Sequence, residues 1–320
     1  MERFSDLGRE QSIRKLFEGT TYEPFSRTEF AAGQGDETVS ASRMFLEGID
    51  FNLKYFPLKH LGYKAVVGVT GELYAAMAHP KSLRINIGVS AKLDYEQIRE
   101  LWSGAVSAAS SHGYASVSLD LAPSLNGLCI ALSAAGLRSA AVSSGRPQPK
   151  SKDLLCVSGS LGAAYMGQQV LERRFSEIEK YKMMVGSYLM PELDADLPGR
   201  MEAVGMLPST GCFVTRGLSD AVMRISRGTG LGAKVYAGKI PFEGNTISLA
   251  REMGIDAVSA AMNGGDDYRI IYVVPILCME RFCKEFQTFD VIGHLAQPDA
   301  GTVVVTPEGA EIPLSSQGWK

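Results

Sequence analysis

Hydrophobic and polar positions alternate along this chain with two different periods, which predicts both strands and helices. Residues 83–89 place apolar side chains at every second position, the pattern of a half-buried strand. After Asp94, apolar residues recur three and four positions apart as far as His112, which predicts a helix capped by Asp94. The polar stretch 31–42 follows neither period. It is therefore expected to be a loop, ordered on ligand binding, with a strand starting near Met44.

The same two periods continue through both halves of the chain. They predict helices over residues 7–17, 58–78, 163–180, 247–253 and 276–286, with another starting at residue 218. They predict strands over residues 115–121, 127–134, 154–157, 233–237, 268–274 and 291–295, and a last hairpin turning at Pro307-Glu308-Gly309. Because strands and helices alternate throughout, the expected fold class is α/β (α+β), with two α/β sandwich domains.

The composition changes at residues 143–152, where prolines and polar residues replace the alternating pattern. This change predicts two domains, 1–146 and 147–320, and a chain of 320 residues is long enough for each to bury a core. The net charge of −3 gives no basic surface for nucleic acid or for a membrane. Five cysteines without paired short spacings are typical of reduced thiols, so we expect a cytoplasmic protein without a zinc site.

Three motifs carry a resemblance to a known family. They are Leu46-Glu47-Gly48-Ile49-Asp50-Phe51, then Leu61-Gly62-Tyr63-Lys64 continuing to Ala75-Ala76-Met77-Ala78-His79-Pro80, and finally Asn263-Gly264-Gly265-Asp266-Asp267-Tyr268. In this order and spacing the chain resembles thiamine-monophosphate kinase, of the aminoimidazole-ribonucleotide synthetase superfamily. The resemblance implies two α/β sandwich domains, with homodimerisation through the first domain's sheet. It also implies ATP and Mg²⁺ as cofactors and a small phosphorylated ligand, with neither nucleic acid nor membrane as partner.

The resemblance also implies which acids would hold metal and phosphate. Asp36 and Glu37 fall at the family's Gly-Asp-Asp, Glu72 at an Asp ahead of its Ala-Met-Gly, and Asp120 at its Gly-Gly-Asp. Asp36, Glu72 and Asp120 are the implied metal ligands, because Mg²⁺ in phosphoryl transfer is held by carboxylates. Considered as residues alone, they can equally be solvated loop, helix and strand acids.

Other family positions have changed their charge. Arg43 stands where the family has the Asp of Thr-Thr-Asp, and Arg216 replaces the second Asp of its Asp-Ile-Ser-Asp. Together with Phe213 and Ala221 at two further acid positions, this changes the local charge by roughly six units. Arginine can bind phosphate directly through its planar fork, so Arg43, Arg216 and Arg146, which keeps the family's Arg, are the implied phosphate ligands.

The implied acceptor pocket is formed by a second set of residues: Asp50, which replaces a His, and Gly264, Gly265, Asp266 and Tyr268. Without the resemblance, a Gly-Gly pair only marks a tight turn into a strand. The turn Ser158 to Gly162 is a weak phosphate-cradle motif, being neither Walker A nor a dinucleotide fingerprint. No catalytic residue is assigned.

Three hypotheses follow. The first is an ATP-dependent kinase that converts thiamine monophosphate to the diphosphate, with its catalysis degenerate to some degree. The second is a non-catalytic relative that binds a nucleotide or phosphate metabolite through arginines. The third is a related ATP-dependent enzyme with another acceptor. Fold kinship does not restore the missing acids, so the residues favour lost or altered catalysis.

Overall fold

The computed structural model describes residues 9–24, 32–175 and 178–315. The chain divides into two compact units, Met1–Ser143 and Ser144–Lys320, called here the first and second units. Each unit has its own sheet and its own helices, as the alternating pattern predicts. The division lies close to the composition change that suggested a boundary at residue 146.

The first unit contains a four-stranded sheet in the order β1-β4-β2-β3. Its elements are α1 (Arg9–Phe17), β1 (Glu37–Leu46), α2 (Leu58–Ala75), β2 (His79–Ser90), α3 (Tyr95–Ser111), β3 (Ser116–Ser124), β4 (Cys129–Arg138) and α4 (Ala140–Gly145). β2 runs parallel to β3, whereas β4 is antiparallel to both β1 and β2. Helix α2 packs against β1, β4 and β2, and the other face of the sheet carries mainly small and polar residues.

The expected helix after Asp94 is confirmed with its cap. Asp94 accepts a hydrogen bond from the Gln97 amide at 2.9 Å, and the Gln97 side chain accepts one from the Asp94 amide at 3.0 Å. This capping box satisfies two amides that a helix start otherwise leaves unpaired. Helix α3 then crosses α2 at two glycines: a Cβ at Gly62 would lie 1.9 Å from the Leu101 carbonyl oxygen, and one at Gly104 would lie 1.8 Å from that of Lys59. The two backbones approach closely because neither position has a side chain.

The expectation of a loop over residues 31–42 is wrong for residues 37–42. β1 begins at Glu37 and pairs with β4 along its whole length, from Glu37 opposite Arg138 to Leu46 opposite Cys129. Small and polar residues are tolerated in β1, because β1 is an edge strand with one exposed face. Backbone hydrogen bonds to β4 hold it in the sheet. Residues 25–31 lie outside the described residues, as do residues 7 and 8 of the first expected helix.

The second unit contains a seven-stranded sheet in the order β11-β10-β7-β9-β5-β8-β6. Its strands are β5 (Leu154–Ser158), β6 (Thr210–Val214), β7 (Gly232–Tyr236), β8 (Arg269–Val274), β9 (Phe289–Ala296), β10 (Thr302–Val305) and β11 (Glu311–Pro313). Its helices are α5 (Ala163–Glu172), α6 (Lys182–Leu189), α7 (Leu197–Ala203), α8 (Leu218–Thr229), α9 (Thr246–Glu252), α10 (Ala257–Asn263) and α11 (Met279–Glu285). Apolar residues of β5, β6, β7, β8 and β9 form a core with α8.

The expectation of one long helix in this unit is wrong. The helix expected over residues 163–180 ends at Glu172, and Arg174 takes a left-handed backbone conformation with φ 55°. Strand β6 and helices α6, α7 and α10 had no clear periodic signal. All five cysteines carry free thiols, with Cys156 and Cys212 buried. Among the described residues, no helix combines the length and the apolar character needed to cross a membrane.

Candidate functional site

Asp36 lies in a tight turn immediately before β1. Its Oδ2 accepts a hydrogen bond from the Gly33 amide at 2.9 Å, and its Oδ1 accepts one from the Ala140 amide at 3.0 Å. Ala140 is the first residue of α4, so the carboxylate closes its own turn and also caps a helix. Both oxygens of this implied metal ligand therefore stabilise the fold.

Glu37, the next residue, pairs with a cation that the sequence did not single out. Arg138, at the end of β4, lies directly opposite Glu37 in the ladder. Its Nε donates to Glu37 Oε2 at 3.1 Å, and its Nη2 forms an ion pair with the same oxygen. The Glu37 carboxylate thus already has a positively charged partner within its own unit.

The remaining first-unit candidates are spread across the sheet. Glu72 is half-buried near the end of α2, Arg43 stacks over the Phe45 ring at 4.8 Å, and Asp120 is exposed in the middle of β3. β1 and β3 are opposite edges of the sheet, about 14 Å apart at three strand spacings. One chain therefore does not bring Asp120 to Asp36 and Glu37.

The carboxylates that one chain brings together do not form a magnesium site among the described residues. Throughout the parts of the chain that the structure describes, no three or more His, Cys, Asp or Glu side chains are grouped so that they could hold a metal ion. Mg²⁺ requires near-octahedral oxygen ligands, usually with one or two carboxylates that are available to it. Asp36 is engaged by two amides and Glu37 by Arg138, so the implied set of Asp36, Glu72 and Asp120 is not brought together.

Asp50 has a local structural contact in the turn that follows β1. Its Oδ2 accepts a hydrogen bond from the Leu46 amide at 2.8 Å, and its own amide donates to the Leu46 carbonyl at 2.9 Å. Burial, together with the nearby Asp50 carboxylate, raises the pKa of the Cys129 thiol on β4. The acceptor-binding role of Asp50 stays a prediction.

In the second unit, the structure brings together two loops that the sequence indicated separately. Asp266 donates its amide to the Thr215 carbonyl at 3.2 Å, and Tyr268 donates its amide to the Val214 carbonyl at 2.9 Å. Gly217 makes this approach possible, because a Cβ there would lie 2.4 Å from the Met262 carbonyl oxygen. The exposed Arg216 therefore lies beside the Gly264–Asp266 turn, where a Cβ added at Gly265 would lie 3.7 Å from the Arg216 Cα.

Two members of the implied ligand set have other roles in this unit. Tyr268 is fully buried, with its ring centroid 5.3 Å from that of Phe213, so it packs in the core, and its contact with an acceptor stays a prediction. Arg146 donates its Nε to the Pro208 carbonyl at 3.1 Å, which fixes the start of the second unit's chain. Gly264 and Gly265 form the turn that ends α10.

Asp267 is a buried acid that sequence reasoning missed. Its two oxygens accept hydrogen bonds from the Gly162 amide at 2.9 and 3.0 Å, and Oδ1 lies 3.4 Å from the Ala164 amide. These amides begin helix α5, where an anion is stabilised by unpaired N–H groups. The protein's own carboxylate therefore occupies the helix start at the Ser158–Gly162 turn, in the place that the weak phosphate-cradle motif would give to a phosphate. The sequence signal was only an acid next to Asp266.

Burial raises the pKa of the Asp267 carboxyl to about 7, although the amides and Arg269 oppose that shift. The folded protein then keeps a proton that the unfolded chain releases near pH 4. Stability from this group is present at low pH and is lost as pH rises through about 7.

Asp267→Asn should remove this pH dependence. Its free energy of unfolding, relative to that of the unaltered protein, should therefore increase as pH rises from about 4 to about 7, because only the unaltered protein loses this stability. Urea denaturation across that range measures the difference. Asp256→Asn, which removes an exposed capping carboxylate on α10, is the matched control. Parallel profiles for Asp267→Asn and the unaltered protein would contradict the assignment.

A separate groove of about 450 Å³ lies between α1 and α3. It is lined by residues that include Lys15, Tyr95, Arg99 and Trp102, and it contains none of the residues implied by the resemblance. The groove therefore does not change the choice of candidate residues.

Comparison with known proteins agrees with the fold expected from the motifs. No protein-family model matches the chain. Thiamine-monophosphate kinase of Rhodopirellula baltica is 22% identical over 242 residues, covering 74% of this chain and 68% of that protein. Thiamine-monophosphate kinase of Aquifex aeolicus is 21% identical over 275 residues, covering 86% of this chain and 84% of that protein.

Solved structures give the same result. A thiamine-monophosphate kinase structure, AaThiL complexed with AMPPCP and TMP, has a TM-score of 0.74 at 17% identity and covers 88% of this chain and 87% of its own. Escherichia coli HypE, a hydrogenase maturation protein, has a TM-score of 0.72 at 14% identity and covers 97% of this chain and 96% of its own. HypE in complex with ATP has a TM-score of 0.70 at 15% identity and covers 99% of this chain and 94% of its own.

The chain therefore has the aminoimidazole-ribonucleotide synthetase-like fold that these proteins share. In sequence it is a distant, divergent relative of thiamine-monophosphate kinases, which confirms the resemblance carried by the three motifs.

Proposed function

We propose that this protein binds a nucleotide or another phosphorylated metabolite through arginine, without the kinases' magnesium-dependent chemistry. The main support for the proposal is that the two acids at the start of β1 already have hydrogen-bond or ion-pair partners. Asp36 accepts hydrogen bonds from two amides, and Glu37 is paired with Arg138. Because phosphoryl transfer depends on metal ions that neutralise phosphate charge, acids committed in this way do not support it.

The arginines support phosphate binding in each unit. Arg216 is exposed beside the Gly264–Asp266 turn, in the loop where the family has an acid. Arg43 is half-buried on β1 and stacks on Phe45, which holds its guanidinium in place. A guanidinium binds phosphate through paired N–H donors and remains charged at every physiological pH. Related proteins of this fold are known in complex with AMPPCP and TMP, or with ATP, which supports the same ligand class here.

Turnover tests this proposal. The purified protein, given ATP, Mg²⁺ and thiamine monophosphate, should form thiamine diphosphate at least about a thousandfold more slowly than the Aquifex aeolicus kinase. Losing the metal's charge stabilisation of the transition state costs roughly 4 kcal/mol, which corresponds to that factor. Comparable rates for the two proteins would contradict the proposal.

An active thiamine-monophosphate kinase is the second candidate. The observation that favours it is the Gly264–Asp266 turn, which keeps the family's Gly-Gly-Asp sequence and adjoins the Thr215–Gly217 loop. On this alternative, Asp120 of one subunit would act with Asp36 and Glu72 of another, and the nucleotide would sit between the two first units. Magnesium-dependent turnover, as above, separates the two candidates.

The proposal includes a homodimer formed through the open face of the first unit's sheet. Met44 on that face is 54% exposed, and β1 and β3 are the edge strands of the sheet that the described residues form. Edge strands and an exposed methionine both favour association with another chain. A second copy packed on this face would bring β3 of one subunit towards β1 of the other, which one chain alone cannot do.

Met44→Asp should therefore shift the protein from dimer to monomer, because it buries a charge in the proposed interface. Solution scattering at micromolar concentration measures the change. Leu277→Asp, at a 96% exposed apolar residue of the second unit, is the matched control and should leave the dimer intact. A monomeric unaltered protein would contradict this part of the proposal.

A further inference from the structure

The guanidinium of Arg138 is surrounded by oxygen atoms of three kinds. Its Nε donates to the Glu37 carboxylate and to Ser143 Oγ, both at 3.1 Å, and its Nη1 donates to the Ala76 carbonyl oxygen at 3.1 Å. Its Nη2 pairs with the same Glu37 carboxylate. All three guanidinium nitrogens are therefore engaged within the first unit.

These oxygens come from three separate elements. Glu37 begins β1, Ala76 is the C-cap of α2, and Ser143 lies in α4. Arg138 itself is the last residue of β4 and is only 21% exposed, so the cation is held inside the cluster rather than at its rim. It joins the start of one strand to the ends of a helix and a second strand.

Carboxylate, hydroxyl and carbonyl oxygens are also the ligands that hard divalent cations take. We infer that the Arg138 guanidinium replaces a divalent cation in this oxygen cluster, as a positive charge built into the chain. It supplies the cross-link that a metal would supply, and it leaves the Glu37 carboxylate neutralised. A divalent ion approaching Glu37 would meet a like charge, so the unaltered protein excludes it.

Arg138 thus takes the place of the metal ion that these acids do not bind, which goes beyond the proposed function. We therefore also expect a metal site to be latent in the fold. Removing the guanidinium while keeping the oxygens should allow a divalent ion to bind where Arg138 now lies.

Binding of Mn²⁺ alone tests the inference, followed by electron paramagnetic resonance and by the shift of the melting temperature. Arg138→Ala should bind Mn²⁺ at least about tenfold more tightly than the unaltered protein. Adding Glu37→Gln to that variant should abolish the gain, because the carboxylate is the charged ligand. Arg84→Ala removes an exposed arginine from β2 of the same sheet and should gain nothing.

Arg138→Gln provides a second route if Arg138→Ala does not fold, because it keeps most of the side chain and one donor group while removing the charge. It too should gain Mn²⁺ binding. The inference is overturned if a folded variant gains no binding, if the gain survives Glu37→Gln, or if the unaltered protein already binds Mn²⁺ through Glu37. Turnover and metal-free ligand binding test the proposed function separately, so the failure of one can be distinguished from the failure of the other.

Discussion

Reversing the charge of Arg216 should weaken the binding of a phosphorylated ligand by about tenfold to a hundredfold in the absence of metal. The variant Arg216→Asp loses one attraction and adds one repulsion, each about 1 kcal/mol or more at contact distance in a partly solvated site. Arg216 is exposed beside the Gly264–Asp266 turn, so the substitution changes charge without leaving a cavity.

Isothermal titration with AMPPCP and with thiamine monophosphate, both in EDTA, measures this effect. Arg227→Asp is the matched control, because Arg227 is an exposed arginine near the other end of α8. Binding of the unaltered protein should also weaken as salt is raised, since exposed charges are screened. Equal affinities for Arg216→Asp and Arg227→Asp would remove Arg216 from the binding site.

Gly62→Ala should destabilise the first unit by about 3 kcal/mol or prevent its folding. The new Cβ would lie 1.9 Å from the Leu101 carbonyl oxygen, which belongs to the backbone of α3 and cannot move without separating the two helices. Ala76, the C-cap of α2, accepts a hydrogen bond from Arg138, so the same change would displace the cluster around Arg138. Urea denaturation followed by circular dichroism measures the loss.

Gly186→Ala is the matched control for this prediction. Gly186 lies inside helix α6, and a Cβ there has no heavy atom within 4 Å. The substitution should therefore stabilise the protein by about 0.5–1 kcal/mol, the usual gain of alanine over glycine in a helix. If both variants lost stability equally, close packing of α2 on α3 would not explain the role of Gly62.

Local patterns predicted the elements whose signals lie within a few residues. The helix from Tyr95 followed from Asp94 and from the apolar spacing behind it, and the strand through Leu83 and Ile85 followed from strict alternation. β1 was missed in part because its first residues are polar and small. Its pairing with β4, about a hundred residues later in the chain, decides its structure, and no local pattern contains that partner.

Motifs named the candidate residues, but they did not name the groups that contact those residues in the fold. The motifs pointed to Asp36 and Glu37, yet the contacts of Glu37 come from Arg138, and the Ala140 amide that binds Asp36 also lies about a hundred residues away. Asp267 was overlooked because burial distinguishes it from Asp266, and burial is a property of the fold. The spacing of residues in the sequence does not predict that Arg216 lies near the turn at 264–266. Only the structure brings residues 215–217 to that turn.

We propose that arginine, and not magnesium, holds the phosphorylated ligand in this protein. The most direct test is the affinity of the unaltered protein for AMPPCP, titrated once in EDTA and once in excess Mg²⁺. Measurable binding is expected in EDTA, with an affinity that Mg²⁺ changes by no more than about twofold. Binding that disappears in EDTA and returns with Mg²⁺ would contradict it.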